Sequence, residues 1–434
     1  MQHIIRKQVI DLSLEGLDAF HIQQQVSNYY FAKIVPLLQE AFDAASTDDE
    51  TISLDNLIID LGIITEKEIE KGNWKEKVFK NITEQLIPVK HGISTVVKVI
   101  KKTSSSGISD QWIFYMQHGY LPWNVLQINQ DWYDKVLEAF ASDMVAISNL
   151  RNLINRHPDS VRRIVFQNSV SFLKSLVETL TAESQDELPQ LIDELVKIIS
   201  LSGKNKTHTF SSRQKKIKLW ERALRLVASA ETHLKPGKIA DLLEKNSSDE
   251  NIIVVKQTTR IDKNEVGEEG IFVSNAGVVL LHPFLNSFFK NLNLIREEDF
   301  NDTRSQLKAL FLLHYLATGN TKPEEHELVI AKVLCSWPLE EPVNNFIKLS
   351  KKELHEAGDL LLSVIQQWSI LKGTSIDGLR ETFLQRKGKL FAKNDNLALQ
   401  IEQSSIDMLL DHLPWNLGII KLPWMKDLLK VEWR

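Results

Sequence analysis

The sequence predicts a predominantly helical α+β protein. Three observations carry this reading. Apolar residues recur at helical spacing through the middle of the chain, and they alternate with polar residues near both ends. The longest apolar stretch, GVVLLHPFL at 277–285, contains a His and a Pro and falls far short of the roughly 20 residues a membrane span requires. At 434 residues the chain exceeds one ordinary core. It divides into a small β-α-β-α module over 1–100, a helical domain over 110–245, a polar linker over 246–270, and a C-terminal α+β domain over 271–434 with a small antiparallel sheet.

The N-terminal module opens on IIRKQVIDLSL, where Ile10, Leu12 and Leu14 share one face of a predicted strand. A helix follows over about 20–42, with Val26, Tyr30, Leu37 and Ala41 apolar. ISLDNLIIDLGII, residues 52–64, then alternates at Leu57, Ile59, Leu61 and Ile63 as a second strand. A further helix is predicted over 65–86, and KKTSSSG at 101–107 is the expected soft boundary.

In the middle, residues 158–180 place Val161, Ile164, Val165, Leu173, Leu176, Val177 and Leu180 on one helical stripe. His157-Pro158 marks its start, because proline is well tolerated in a first turn. Helices are also predicted over 131–150, 185–201 and 213–231, with SGKNKTHTFSS at 202–212 as a polar loop. Beyond Ile271, Leu354, Ala357, Leu361, Val364, Ile365 and Trp368 form another stripe. TSID at 374–377 is a capping box that opens GLRETFLQR. KLFAK, NLALQIEQ, LGIIKL and LLKVEW then read as strands, with a short helix in SSIDMLLDHL. FYMQHGYLPW at 114–123 and LHYLATGNTKP at 313–323 echo each other weakly. Each is a helix end with an aromatic and a His, then a C-cap Gly, then a Pro.

Reaction chemistry is not legible. SGKNKT lacks the upstream glycine and the following Ser/Thr of a phosphate loop, and HELVI carries Ile330 where a zinc protease needs its second histidine. None of the 12 histidines lies within five residues of another. The single cysteine, Cys335, excludes an internal disulfide and reads as a core thiol. No catalytic, cofactor or metal residue is predicted. A net charge of −5 gives no overall attraction to nucleic acid. The basic run RQKKIKLWER at 213–222 reads as a solvated face with Ile217, Leu219 and Trp220 inward, partnered by the acidic SQDELPQLIDEL at 184–195. MQHIIRKQVIDLSLEG has no cleavage site of a signal peptide, so the cytoplasm is the expected place of synthesis.

The chain finishes on LPWNLGIIKLPWMKDLLKVEWR, with tryptophans at 415, 424 and 433 and the triplet Leu-Pro-Trp twice. Proline stops the preceding element and tryptophan supplies a large anchor. The anchor either packs within its own domain or faces a partner.

SIDGLRETFLQRKGKL (375–390), DMLLDHLPWNLGIIKLPWM (407–425) and VEW (431–433) resemble the C-terminal signature of the tape measure proteins of bacterial contractile injection systems. SWPLEEPV (336–343), IFVSNAGVVLLHPFL (271–285), HGYLPW (118–123) and the two N-terminal alternating segments resemble family segments too. The resemblance implies a structural role without catalysis: a protein that sets inner-tube length inside the injection particle. Its implied partners are the inner tube protein, the baseplate hub or spike, and the tube terminator. The alternative is a folded adaptor that binds tube or baseplate components without measuring length. The matching positions singled out for partner binding are Arg380, Glu381, Phe383, Leu384, Gln385, Arg386, Pro414, Trp415, Pro423, Trp424 and Trp433. Arg380 and Glu381 form either an intramolecular ion pair or a docking pair.

Overall fold

The computed structural model describes residues 29–45, 50–54, 57–60, 75–90, 99–125, 128–202, 211–230, 233–245, 270–393 and 396–433, with isolated positions between them. The chain forms two compact units, Met1–Asp110 and Gln111–Arg434.

In the first unit a π-helical turn, Tyr30–Ile34, leads into α1, Val35–Ala45; then come β1 (Glu50–Leu54), α2 (Lys75–Lys90) and β2 (Val99–Thr103). Ile34, Leu37, Leu38 and Ala41 close on Val78 and Ile82 of α2. Three expectations fail here. Ile5, residues 8–11 and Ser13 are irregular instead of a strand, and Leu12 and Leu14 of the expected face lie outside the described residues. Val9 and Ile10 are exposed, so their alternation has no face to bury. The second strand stops at Leu54, with 57–60 irregular. Lys101–Thr103 of the expected soft boundary instead pair antiparallel with Glu50–Ile52, and α3, Ser104–His118, starts on the three serines. Serine is as much a helix-start residue as a linker residue, which is why composition misled.

The first half of the second unit is helical: α4 Gln130–Ser142, α5 Met144–Arg156, α6 Pro158–Gln167, α7 Val170–Thr181, α8 Leu188–Ser202, α9 Ser212–Ser229 and α10 Pro236–Lys245. The predicted helix 131–150 breaks at Asp143, whose carboxylate caps α5 through Val145 N–H at 2.8 Å. The stripe 158–180 breaks at Asn168-Ser169, and Ser169 caps α7 through Phe172 N–H at 3.2 Å. Apolar spacing is continuous across both breaks, because consecutive helices share one core. α9 packs against α5, α6, α7, α8 and α10, with Leu219 and Trp220 buried. Its basic run is an outer face; Lys216 meets Asp193 of α8 at 2.6 Å. Of the expected linker, 246–265 and 267–269 lie outside the described residues, as do 203–210 of the polar loop.

The second half begins with β3, Ile271–Val273, and a 3-10 segment, Ala276–Leu281, continuing into α11, His282–Asn291. A short hairpin, β4 (Ile295–Arg296) with β5 (Asp299–Phe300), precedes α12, Thr303–Thr318. Next come a 3-10 turn at Glu325–Leu328, α13 (Val329–Leu334) and α14 (Lys351–Gln367). The GLRETFLQR segment is one α turn, α15 (Ile376–Leu379), then a π-helical turn, Arg380–Leu384. Its cap is Ser375, one residue later than the spacing suggested, accepting from Gly378 N–H at 3.0 Å. The strands β6 (Gly388–Lys393), β7 (Asn396–Ile401), β8 (Ile419–Ile420) and β9 (Leu429–Glu432) join β3 in a sheet ordered β3-β6-β7-β9-β8. That sheet is mixed, because β7 and β9 run parallel, Leu399 opposite Val431. The intervening 402–428 is long enough to carry the chain back over the sheet, which a parallel pair requires. Leu390, Leu399, Ile420 and Leu429 are buried in one core with α11 to α14.

Candidate functional site

The positions singled out from the sequence gather around the C-terminal half's core. Trp415 is half-buried against Phe284, ring centres 5.1 Å apart and edge-on, and its indole N–H donates to Leu280 O at 3.1 Å. Trp424 is buried between Phe289 and Phe300, and donates to Leu334 O at 2.7 Å. Leu334 closes α13, where carbonyls lack helical donors, and Leu280 lies next to the junction of the 276–281 segment with α11. The Leu-Pro-Trp copies thus place one ring on the junction of the 276–281 segment with α11 and the other on the end of α13, while Pro414 and Pro423 stay exposed. Trp433 is buried, its N–H without an acceptor among the described residues.

Phe383 lies tilted against Trp368, ring centres 4.7 Å apart, and is buried with Leu384. A Cβ on Gly277 would lie 1.7 Å from Phe383 O, so only glycine permits the 276–281 segment to cross this turn. Arg380 does not pair with Glu381, which is exposed. It donates to Leu316 O and Tyr315 O, both at 3.2 Å, and meets Asp377 at 3.0 Å. Gln385 donates to Ala317 O at 3.2 Å, and Arg386 meets the buried Asp407 at 2.6 Å.

A second constellation escaped the sequence reading. Arg163 of α6, Glu325 of the 3-10 turn and Lys332 of α13 are all fully buried. Arg163 Nε donates to Glu325 Oε2 at 3.1 Å and Lys332 Nζ to Glu325 Oε1 at 2.7 Å. Arg163 also donates to Met116 O (2.6 Å), Gln117 O (2.9 Å) and Glu340 O. Lys332 completes its three bonds on Leu339 O (2.7 Å) and Glu341 O (3.0 Å). Two cations thus share one carboxylate, and main-chain carbonyls satisfy the rest, the condition under which buried charge is tolerated. The available signal was Lys332, the one charged residue in VIAKVL at 329–334.

Beside it lie titratable side chains whose charged forms burial disfavours. Tyr133 donates to Glu324 at 3.2 Å, and Tyr115 meets the His326 ring edge-on at 5.7 Å. Burial raises the Glu324 carboxyl to about 7. It lowers His314 to about 4, and burial together with His314 does the same to His326. Neither ring nitrogen of His314 has a partner among the described residues. No group of three or more metal-ligating side chains occurs among the described residues. A cavity of about 20 Å³ beside Val333, Ser336 and Met425 has room for about one water. Cys335 is buried, which pushes its thiol well above the usual range.

A family model of contractile injection system tape measure proteins matches residues 2–433. The chain belongs to this family. Neither a curated protein nor a solved structure matches it. Tape measure proteins are structural assembly components, not an enzyme class. No helix among the described residues is long and apolar enough to cross a membrane. The segments by which the sequence resembles the family meet in space. GVVLL crosses the RETFL turn and receives Trp415, while SWPLEEPV supplies the carbonyls that hold Arg163 and Lys332. The tail triplet recurs in HGYLPW, where Trp123 is 37% exposed; its two C-terminal counterparts are spent on the chain's own carbonyls.

Proposed function

We propose that the protein sets the length of the inner tube of a contractile injection particle. In this reading it contacts the inner tube protein along the lumen, the baseplate hub or spike at one end, and the tube terminator at the other. It is made in the cytoplasm and retained in the particle. The family match over nearly the whole chain carries the proposal. Length enters through simple geometry. Folded compactly, a chain of this size has a radius of gyration of about 22 Å. Drawn out as continuous helix it reaches about 650 Å, at roughly 1.5 Å per residue. Only an extended state can span a long tube, so the length is read in that state, and the folded form precedes or follows it.

Adding helical turns within 246–270 tests this directly. Tube length measured by electron microscopy rises by about 1.5 Å for each added helical residue if the chain is the ruler. Tubes of unchanged length refute the ruler and leave a folded adaptor. That second reading draws on the C-terminal half, where Trp415 and Trp424 both turn their N–H groups onto the chain's own carbonyls. The partner-binding role of Arg380, Glu381, Pro414 and Pro423 belongs to both readings, since their solvent-facing parts lie on the same half.

A further inference from the structure

The contacts between the helical first half and the C-terminal half of the second unit combine apolar packing with a buried ion cluster. Tyr120 and Phe114 pack on the C-terminal core, and Phe166 meets Phe346 edge-on. Polar groups also cross the seam. Besides Arg163–Glu325 at 3.1 Å, His118 meets Glu340 at 3.1 Å and Arg162 meets Glu341 at 3.3 Å. Gln167 donates to Val343 O at 3.1 Å and accepts from Glu325 N–H at 3.2 Å.

Buried ion networks are a poor way to add stability, because desolvation offsets most of the attraction, and apolar replacements of similar volume are often neutral or better. They have another property. A partly made network leaves bare charge in a dry site, so it is either complete or open. Once open, the charges regain hydration, which lowers the free energy of the open state relative to an apolar seam. We infer that the Arg163–Glu325–Lys332 cluster is a release latch: the two halves part along this seam in one step while the apolar cores on either side stay folded. The inference rests on the extended-state reading, for which it supplies the first opening event.

Hydrogen exchange on the purified full chain tests the latch independently of tube length. Amides at 116–119, at Glu325 and at 340–345 should exchange through one shared opening, at least tenfold faster than the amides of α12 and α14. Exchange of the seam only together with α12 and α14 overturns the latch. Failure of the 246–270 insertions with an intact exchange signature would refute the ruler and spare the latch.

Discussion

Helices α3 and α12 both close on a tyrosine four residues before a left-handed glycine. Gly119, at φ +78°, donates to Tyr115 O at 2.8 Å; Gly319, at φ +75°, donates to Tyr315 O at 2.8 Å. At both ends an arginine from a distant element covers the glycine and donates to carbonyls of the last turn. The local device is the same, and the surroundings are not. Arg163 is fully buried and shares Glu325 with Lys332, whereas the carboxylate on Arg380 is Asp377, whose side chain is 79% exposed. A cap at the surface can be lost with water taking its place; a cap built into a dry ion cluster cannot.

Truncating the two arginines separates the cases most widely. Arg163→Ala removes one cation from a buried cluster and strips donors from three carbonyls, a loss of about 3–5 kcal/mol. Tryptophan fluorescence in urea reads it, since every tryptophan except Trp74 lies in the second unit. A loss below about 1 kcal/mol would mean that water already reaches the site. Arg380→Ala should cost about 1–2 kcal/mol, the net value of hydrogen bonds water can replace.

The equivalent of Phe114, five residues before Gly119, is His314, five residues before Gly319. Its folded pKa of about 4 lies below the ordinary 6.5, so the unfolded chain takes the proton first. Its contribution is therefore complete above pH 6.5 and declines as pH falls toward 4, by roughly 3 kcal/mol at 1.36 kcal/mol for each pKa unit. Glu324 works in the opposite sense, since its carboxyl is raised to about 7 and stability falls as pH rises from 4.5 through 7. Comparing the chain with His314→Phe cancels Glu324 and reports the histidine pair, since His314 also lowers His326. The difference in urea midpoint should vary between pH 6.5 and 4 and level off outside that window. A difference flat with pH would show that His314 has a partner in solution.

These two helix ends also measure what sequence reveals. The glycine, tyrosine and proline of each end stand in the sequence in order, so the echo was visible. Arg163 comes 44 positions after Gly119 and Arg380 61 positions after Gly319, and no local pattern ties them to a cap. The stripes of α6, α7 and α14 were legible because burial imposes the 3.6-residue period. The break at Asn168-Ser169 was not, because caps are single residues that leave the stripe intact. In the tail, β6 to β9 were legible as strands, but the direction of β9 depends on the path of 402–428. Nor does Leu-Pro-Trp say which carbonyl an indole will find; Leu280 and Leu334 are 135 and 90 residues away from their rings.

The smallest contrast is the sharpest. A Cβ at Gly119 would lie 2.6 Å from Glu325 Oε1 and 3.1 Å from Arg163 Nε, groups with no room to retreat. Gly119→Ala should cost about 2–3 kcal/mol, left-handed strain of about 1–2 kcal/mol plus displacement of the ion cluster. At Gly319 the nearest atom is Arg380 Nη1 at 3.0 Å, the far end of a long side chain beside solvent. Gly319→Ala should therefore cost only the strain, about 1–2 kcal/mol, and the Arg380→Ala background should not change that figure. In the Arg163→Ala background, by contrast, part of the Gly119→Ala penalty disappears, because one of the two obstructing groups is gone. A double-mutant cycle at each glycine gives both coupling energies. Equal couplings would mean that the two caps sit in equivalent surroundings, and the distinction between a surface cap and a latch would fall with that result.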